Sequence, residues 1–158
     1  MNLKFNYTIT EEEYTNYNYY TNRKQNLISF IVILVFICLD QINTRQSVLY
    51  AIPFMLLYIL YYIFLKIWTK IASRKVYKTS TELQSETEII ITNNELSERT
   101  TITTTVLKFE NMYKYAQDKI SYYIYIDRVK AFIIPKRIMN DDEKQKFEDI
   151  MKQYIKNK

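Results

Sequence analysis

The chain has 158 residues, 48% of them apolar, a formal charge of +5, no glycine, no histidine and a single cysteine. That length holds one modest domain with an appendage, and the missing glycine excludes Walker-type phosphate loops, dinucleotide-binding turns and G-x-S-x-G elbows. Without histidine the side chain best suited to proton transfer near neutral pH is absent, and a lone Cys38 excludes an internal disulfide and cysteine-ligated zinc.

At the amino terminus Leu3, Phe5, Tyr7 and Ile9 alternate with Lys4, Asn6 and Thr8, which predicts a half-buried strand. Thr10-Glu11-Glu12-Glu13 reads as a capping box, with Thr10 as N-cap and Glu13 at the third helical position. The helix that follows carries Tyr14, Tyr17, Tyr19 and Tyr20. An interfacial aromatic belt accounts for those tyrosines more economically than a ligand site does.

Residues 27–39 (LISFIVILVFICL) are apolar on every face, and with polar ends included the run extends over 25–42. Residues 48–65 carry no charge, and Trp68 follows at interfacial depth. The short polar stretch 40–47 joins the two runs, so they form an antiparallel hairpin. A helix apolar all round needs lipid or a large protein around it. The rest of the chain is too small to bury two, which favours a transmembrane hairpin over a pair of core helices in a soluble protein. Cys38 reads as one more apolar residue of the first span, and Pro53 predicts a kink near the outer end of the second.

Lys4, Arg23 and Lys24 precede the hairpin and Lys66, Lys70, Arg74, Lys75 and Lys78 follow it, against Arg45 alone in the connection. The positive-inside bias therefore places both termini in the cytoplasm of a cell membrane, and the same clustering argues against nucleic acid as a partner. Lys66, Lys70, Arg74 and Lys78 recur every four residues and would align on one side of a continuing helix. Such a face suits anionic headgroups at about 1 kcal/mol per charge; ordinary topology-setting charge is the alternative reading.

Beyond that helix the pattern turns to period two. Residues 87–92 predict a strand, Asn93-Asn94 a turn, and the β-branched run 97–107 a further strand. Residues 108–116 suggest a short strand, and 117–119 a polar turn. Residues 121–126 and 130–134 form a hairpin around Asp127-Arg128, ended by Pro135, which cannot donate to a ladder. Asn140 with Glu143 caps a last helix, whose stripe of Phe147, Ile150, Met151, Tyr154 and Ile155 packs on the sheet.

FNYTITEEEYTNYN at residues 5–18, the two apolar spans, and YIYIDRVKAFIIPKR at 123–137 before an amphipathic helix together resemble the YcxB-like family of small bacterial membrane proteins. The most specific piece is Ile133-Ile134-Pro135-Lys136-Arg137; Ile138-Met139 stands where members usually place an aromatic residue. The resemblance implies a membrane hairpin with a cytosolic domain similar to a pleckstrin-homology barrel, and supplies no catalytic residue.

The expected fold is α+β, with a two-helix hairpin inserted between an amino-terminal strand and helix and an antiparallel sheet closed by a terminal helix. The expected divisions are 1–24, the hairpin 25–68 (spans 25–42 and 48–68), a basic juxtamembrane helix 69–78 and a cytosolic domain 79–158. The expected role is a non-enzymatic, membrane-anchored interaction or regulatory module without cofactor or metal. Its candidate contacts to anionic headgroups or a protein partner are Lys66, Lys70, Arg74, Lys78, Lys136 and Arg137, with self-association a further option. Two other classes stand beside it. One is immunity-like self-protection; the other is a membrane-bound enzyme, for which the spans offer only Asp40 and no intramembrane acid pair.

Overall fold

The computed structural model describes residues 2–44 and 51–155. Among these the elements run β1 (Leu3–Tyr7), α1 (Glu11–Thr44), α2 (Ala51–Thr79), α3 (Thr81–Gln84), β2 (Thr87–Ile91), β3 (Glu95–Arg99) and β4 (Thr104–Lys108). They continue with β5 (Lys114–Gln117), β6 (Ser121–Tyr125), β7 (Ala131–Pro135) and α4 (Asp141–Ile155). The strands form two antiparallel sheets, β1-β2-β3-β4 and β5-β6-β7, so the mixed helix-and-sheet class expected from the sequence holds.

The alternating first residues do become a strand, and its partner lies beyond both long helices. β1 pairs with β2 from Leu3↔Ile91 to Tyr7↔Thr87. Leu3, Phe5 and Tyr7 thereby share the inner face with Ile89, Ile91, Leu96 and Leu107. The Tyr7 hydroxyl donates to the Ile133 carbonyl at 2.8 Å and ties this sheet to β7 of the other.

α1 starts as the capping box requires: the Glu13 N–H donates to Thr10 Oγ1 at 3.2 Å and the Thr10 N–H to Glu13 Oε2 at 2.8 Å. From there one helix of 34 residues, ~51 Å long, takes in the tyrosine segment and the first apolar run. It also takes in residues 40–44, which the sequence reading assigned to the connection; no glycine or proline is there to stop it. Residues 45–50, with Arg45 and the remainder of the expected loop, lie outside the described residues, as do the side chains of Cys38 and Asp40. The kink expected at Pro53 turns on the carbonyl four residues earlier, at position 49, which is also outside them.

α2 runs back antiparallel to α1, and matched contacts order the pair. Glu11 Oε1 accepts from Arg74 Nε at 2.7 Å, Asn18 Nδ2 donates to Ser73 Oγ at 2.9 Å, and Tyr19 OH donates to the Lys66 carbonyl. Further along, the Phe30 and Tyr58 rings stack tilted at 4.6 Å. α2 continues unbroken past Trp68 to Thr79, so the basic residues after the second apolar run do ride on the same helix.

The tyrosines of α1 correct the belt expectation. Tyr17 and Tyr20 set their rings against Tyr123 at 5.6 and 5.4 Å, and Tyr14, Tyr17 and Tyr20 all pack on the core. Thr21 shares a 2.9 Å hydrogen bond with the Tyr125 hydroxyl, and Tyr17 OH donates to the Val129 carbonyl. Tyr17 and Tyr20 thus glue the root of α1 to the β5-β6-β7 sheet, with Tyr14 packed beside Tyr17; a belt and a packing face both ask for aromatic residues, and only the helix phase tells them apart.

The opposite face of that sheet receives α4. Phe147 stands 4.9 Å from Tyr122 and 6.3 Å from Tyr115, ring to ring. With α1 on one face and α4 on the other, every residue of β6 is buried. α4 begins with the anticipated Asn140–Glu143 box, at 2.8 and 2.9 Å, and buries Phe147, Ile150 and Met151.

Two strand expectations need correction. The run 97–107 is two strands, because residues 100–103 turn: Thr100 Oγ1 accepts from the Ile102 and Thr103 N–H groups at 3.3 and 3.0 Å, and the Thr100 N–H donates to the Thr103 carbonyl at 2.8 Å. A threonine hydroxyl does the work usually read from Gly, Asn or Pro. The short strand expected over 108–116 resolves into a 3₁₀ turn, Phe109–Asn111, and then β5, with Phe109 and Met112 fully inside.

Candidate functional site

The surface that most needs explaining is the far part of the helix pair. Leu27, Ile31, Val35, Phe36 and Leu39 on α1, and Leu56, Leu57, Leu60, Phe64, Ile67 and Trp68 on α2, are all exposed, Phe36 at 68% and Leu57 at 62%. Scattered apolar residues are normal on a protein surface, but a contiguous apolar sleeve on two helices marks contact with lipid or with another protein. Among the described residues one helix, Met55–Thr79, is long and apolar enough to cross a membrane, and none of its most apolar stretch is buried within the protein.

The residues singled out from sequence fall into two groups that the fold keeps apart. Lys66, Lys70, Arg74 and Lys78 are on α2. Arg74 turns toward α1 and pairs with Glu11 at 2.7 Å, whereas Lys66 holds its ammonium 5.2 Å over the Tyr62 ring. Lys70 and Lys78 are exposed and make no ion pair among the described residues.

Lys136 and Arg137 follow β7 and are occupied inside the domain. The Lys136 ammonium donates to the Asp118 carbonyl at 2.6 Å and to Gln117 Oε1 at 2.8 Å, and lies 4.6 Å over the Tyr122 ring. Arg137 donates to Glu13 Oε1 at 2.8 Å and to the Thr8 carbonyl at 2.8 Å. The Glu13 carboxylate beside it holds the guanidinium above its ordinary pKa.

The domain interior has titratable groups that pattern reading passed over. Glu98 lies on the inner face of the four-stranded sheet, opposite Ile89 and Thr105. Burial, reinforced by the charge of Glu82, pushes its carboxyl up to about 7. The signal was present, since Leu96 and Glu98 are two apart and must share a face. Burial also drives Tyr17 up to about 12 and raises Tyr122 and Tyr123 further, the latter two with help from Glu148 and Asp118, to which their hydroxyls donate at 2.9 and 2.6 Å.

Tyr17, Tyr122 and Tyr123 each donate to a partner of their own, and Glu98 stands apart from them on the other sheet. Among the described residues no three of His, Cys, Asp or Glu gather as a metal ion would need. What the arrangement offers is surface: an apolar sleeve, a cationic stretch at its root, and a closed domain on which both helices are seated.

Residues 91–151, from the last residue of β2 into α4, match the family model described as YcxB-like protein. Comparison with curated proteins and with solved structures finds no match.

Proposed function

We propose, on the premise that a chain with a YcxB-like segment over residues 91–151 is YcxB-like throughout, that it is a small bacterial integral membrane protein serving as a non-enzymatic, membrane-anchored interaction or regulatory module. In this reading the spans 25–42 and 48–68 expected from the sequence both cross the bilayer, with the two sheets and α4 on the cytoplasmic side in a pleckstrin-homology-like arrangement. The observation that carries it is the apolar sleeve: exposed side chains from Leu27 to Leu39 on α1 lie beside those from Ile52 to Trp68 on α2. Buried in hydrocarbon, each such side chain contributes roughly 1.5–3 kcal/mol relative to water. The loop between the helices has one basic residue against several at each root, which supports cytoplasmic termini.

Thiol labelling tests the placement. In a Cys38→Ser background, a cysteine introduced at Gln46 is expected to react with an impermeant maleimide in intact cells, and one introduced at Asn2 only after lysis. Extraction of the chain by alkaline carbonate, or labelling of both positions only after lysis, overturns the two-span reading.

A further inference from the structure

Between α1 and α2, where they leave the sheet domain, lies a cleft of about 730 Å³ with an unusual distribution of chemistry along its length. Toward the domain the cleft is lined by two cations from different helices, Arg23 of α1 and Lys66 of α2. Neither makes an ion pair among the described residues. The ammonium of Lys66 rests over the Tyr62 ring, which orients it while leaving its charge unneutralised. Away from the domain the wall turns apolar and aromatic, with Leu27 and Phe30 of α1 and Tyr58 of α2, and Leu65 lies next to Lys66.

One acid, Asp118, borders the cleft, and its carboxylate is already occupied. Oδ1 accepts the Ile120 and Ser121 N–H groups at 2.8 Å each, and Oδ2 accepts the Tyr123 hydroxyl at 2.6 Å. Those neutral donors stabilise its charge without cancelling it, and two cations against one acid leave the domain end with a net positive charge. The helices are held at this level by the bond from Tyr19 to the Lys66 carbonyl, and below it by the Phe30–Tyr58 ring pair. The cleft is thus part of the seated helix pair rather than a gap between loose helices.

We infer that this cleft binds one anionic glycerophospholipid, with its phosphate near Arg23 and Lys66 and the start of an acyl chain along Leu27, Phe30 and Tyr58. The inference rests on the membrane placement proposed above. A soluble anion would use only the cationic end, and a neutral lipid only the apolar end. A phosphodiester joined to a hydrocarbon chain uses both, in the order in which the bilayer presents them. The volume is within the range of small-molecule sites.

The test is native mass spectrometry of the full chain, purified in mild detergent and supplied with phosphatidylglycerol or phosphatidylcholine. The wild type is expected to retain one phosphatidylglycerol in preference to phosphatidylcholine, and R23Q/K66Q to lose that retention roughly thirtyfold, the scale of two charges near a lipid phosphate. K70Q/K78Q, with the same change in net charge, is expected to keep it. Leu27→Trp, which fills the apolar end and leaves both cations, is expected to expel the lipid, and covers the case in which the double variant fails to fold. Equal loss in K70Q/K78Q, displacement of the lipid by millimolar glycerol phosphate, or a second copy of the chain found in place of lipid overturns the inference. The two readings fail separately: a carbonate-extractable wild type sinks the membrane placement, whereas a membrane-embedded wild type that retains no lipid sinks only the cleft.

Discussion

Glu13 and Arg137 form a 2.8 Å ion pair between the first turn of α1 and the turn that follows β7, and the acid is 4% exposed. The same carboxylate accepts the Thr10 N–H, so a single buried group both caps the long helix and fastens it to the domain. Arg137→Met leaves that charge buried without its partner. The expected cost is about 2 kcal/mol, less than for a fully buried pair because the arginine is half in solvent. Thermal unfolding of the detergent-solubilised chain, followed by near-ultraviolet tyrosine dichroism, measures it. Addition of Glu13→Gln is expected to recover part of the loss.

Glu98 makes the domain sensitive to pH in a defined direction. Its carboxyl is raised from the ordinary 4.5 to about 7, so the folded state holds the proton more tightly than the unfolded chain. The stabilisation is fully present below pH 4.5 and is lost as pH rises through about 7. The full difference is roughly 3 kcal/mol. Glu98→Gln is expected to flatten the melting temperature between pH 5 and 8, with the gain largest at the alkaline end; an unchanged pH profile contradicts the assignment.

The Tyr115 hydroxyl is buried with no hydrogen-bond partner among the described residues, while its ring packs on Phe147 and Tyr122. Removing an unsatisfied buried hydroxyl relieves a desolvation cost and keeps the ring. Tyr115→Phe is expected to raise stability by about 1 kcal/mol. Tyr123→Phe, which abandons the 2.6 Å bond to Asp118, is expected to lower it by a similar amount. Opposite signs in the same melting assay are the distinguishing result.

Thr100 holds the β3–β4 turn through its hydroxyl, which accepts from two N–H groups. Thr100→Val keeps the shape and removes the acceptor, at an expected cost of about 1 kcal/mol. Faster amide exchange at Ile102 and Thr103 than in the wild type is the local readout.

Legibility in the sequence followed how local each signal was. Both capping boxes were readable because Thr10–Glu13 and Asn140–Glu143 settle their geometry within one turn. The turn at Thr100 was hidden because threonine is also a strong strand former, and nothing nearby marks a break. Tyr14, Tyr17 and Tyr20 were misassigned because lipid interface and sheet packing demand the same residue type. The cationic stretch of α2 was visible as a repeat. That Lys136 and Arg137 are occupied inside the domain, and that Arg23 and Lys66 line one cleft, depends on elements far apart in sequence, which no periodicity reports.

The pairing of Leu3 with Ile91 also sets an order of events during synthesis. β1 leaves the ribosome before β2, and has no ladder to join until β2 has been made, after both long helices. For that interval its inward row of Leu3, Phe5 and Tyr7 has no sheet to cover it. Such distant pairing is slow to close. A nascent chain arrested before residue 87 therefore carries an orphan strand, a ready target for chaperones or proteases, and the sheet is sealed by its oldest segment among the last.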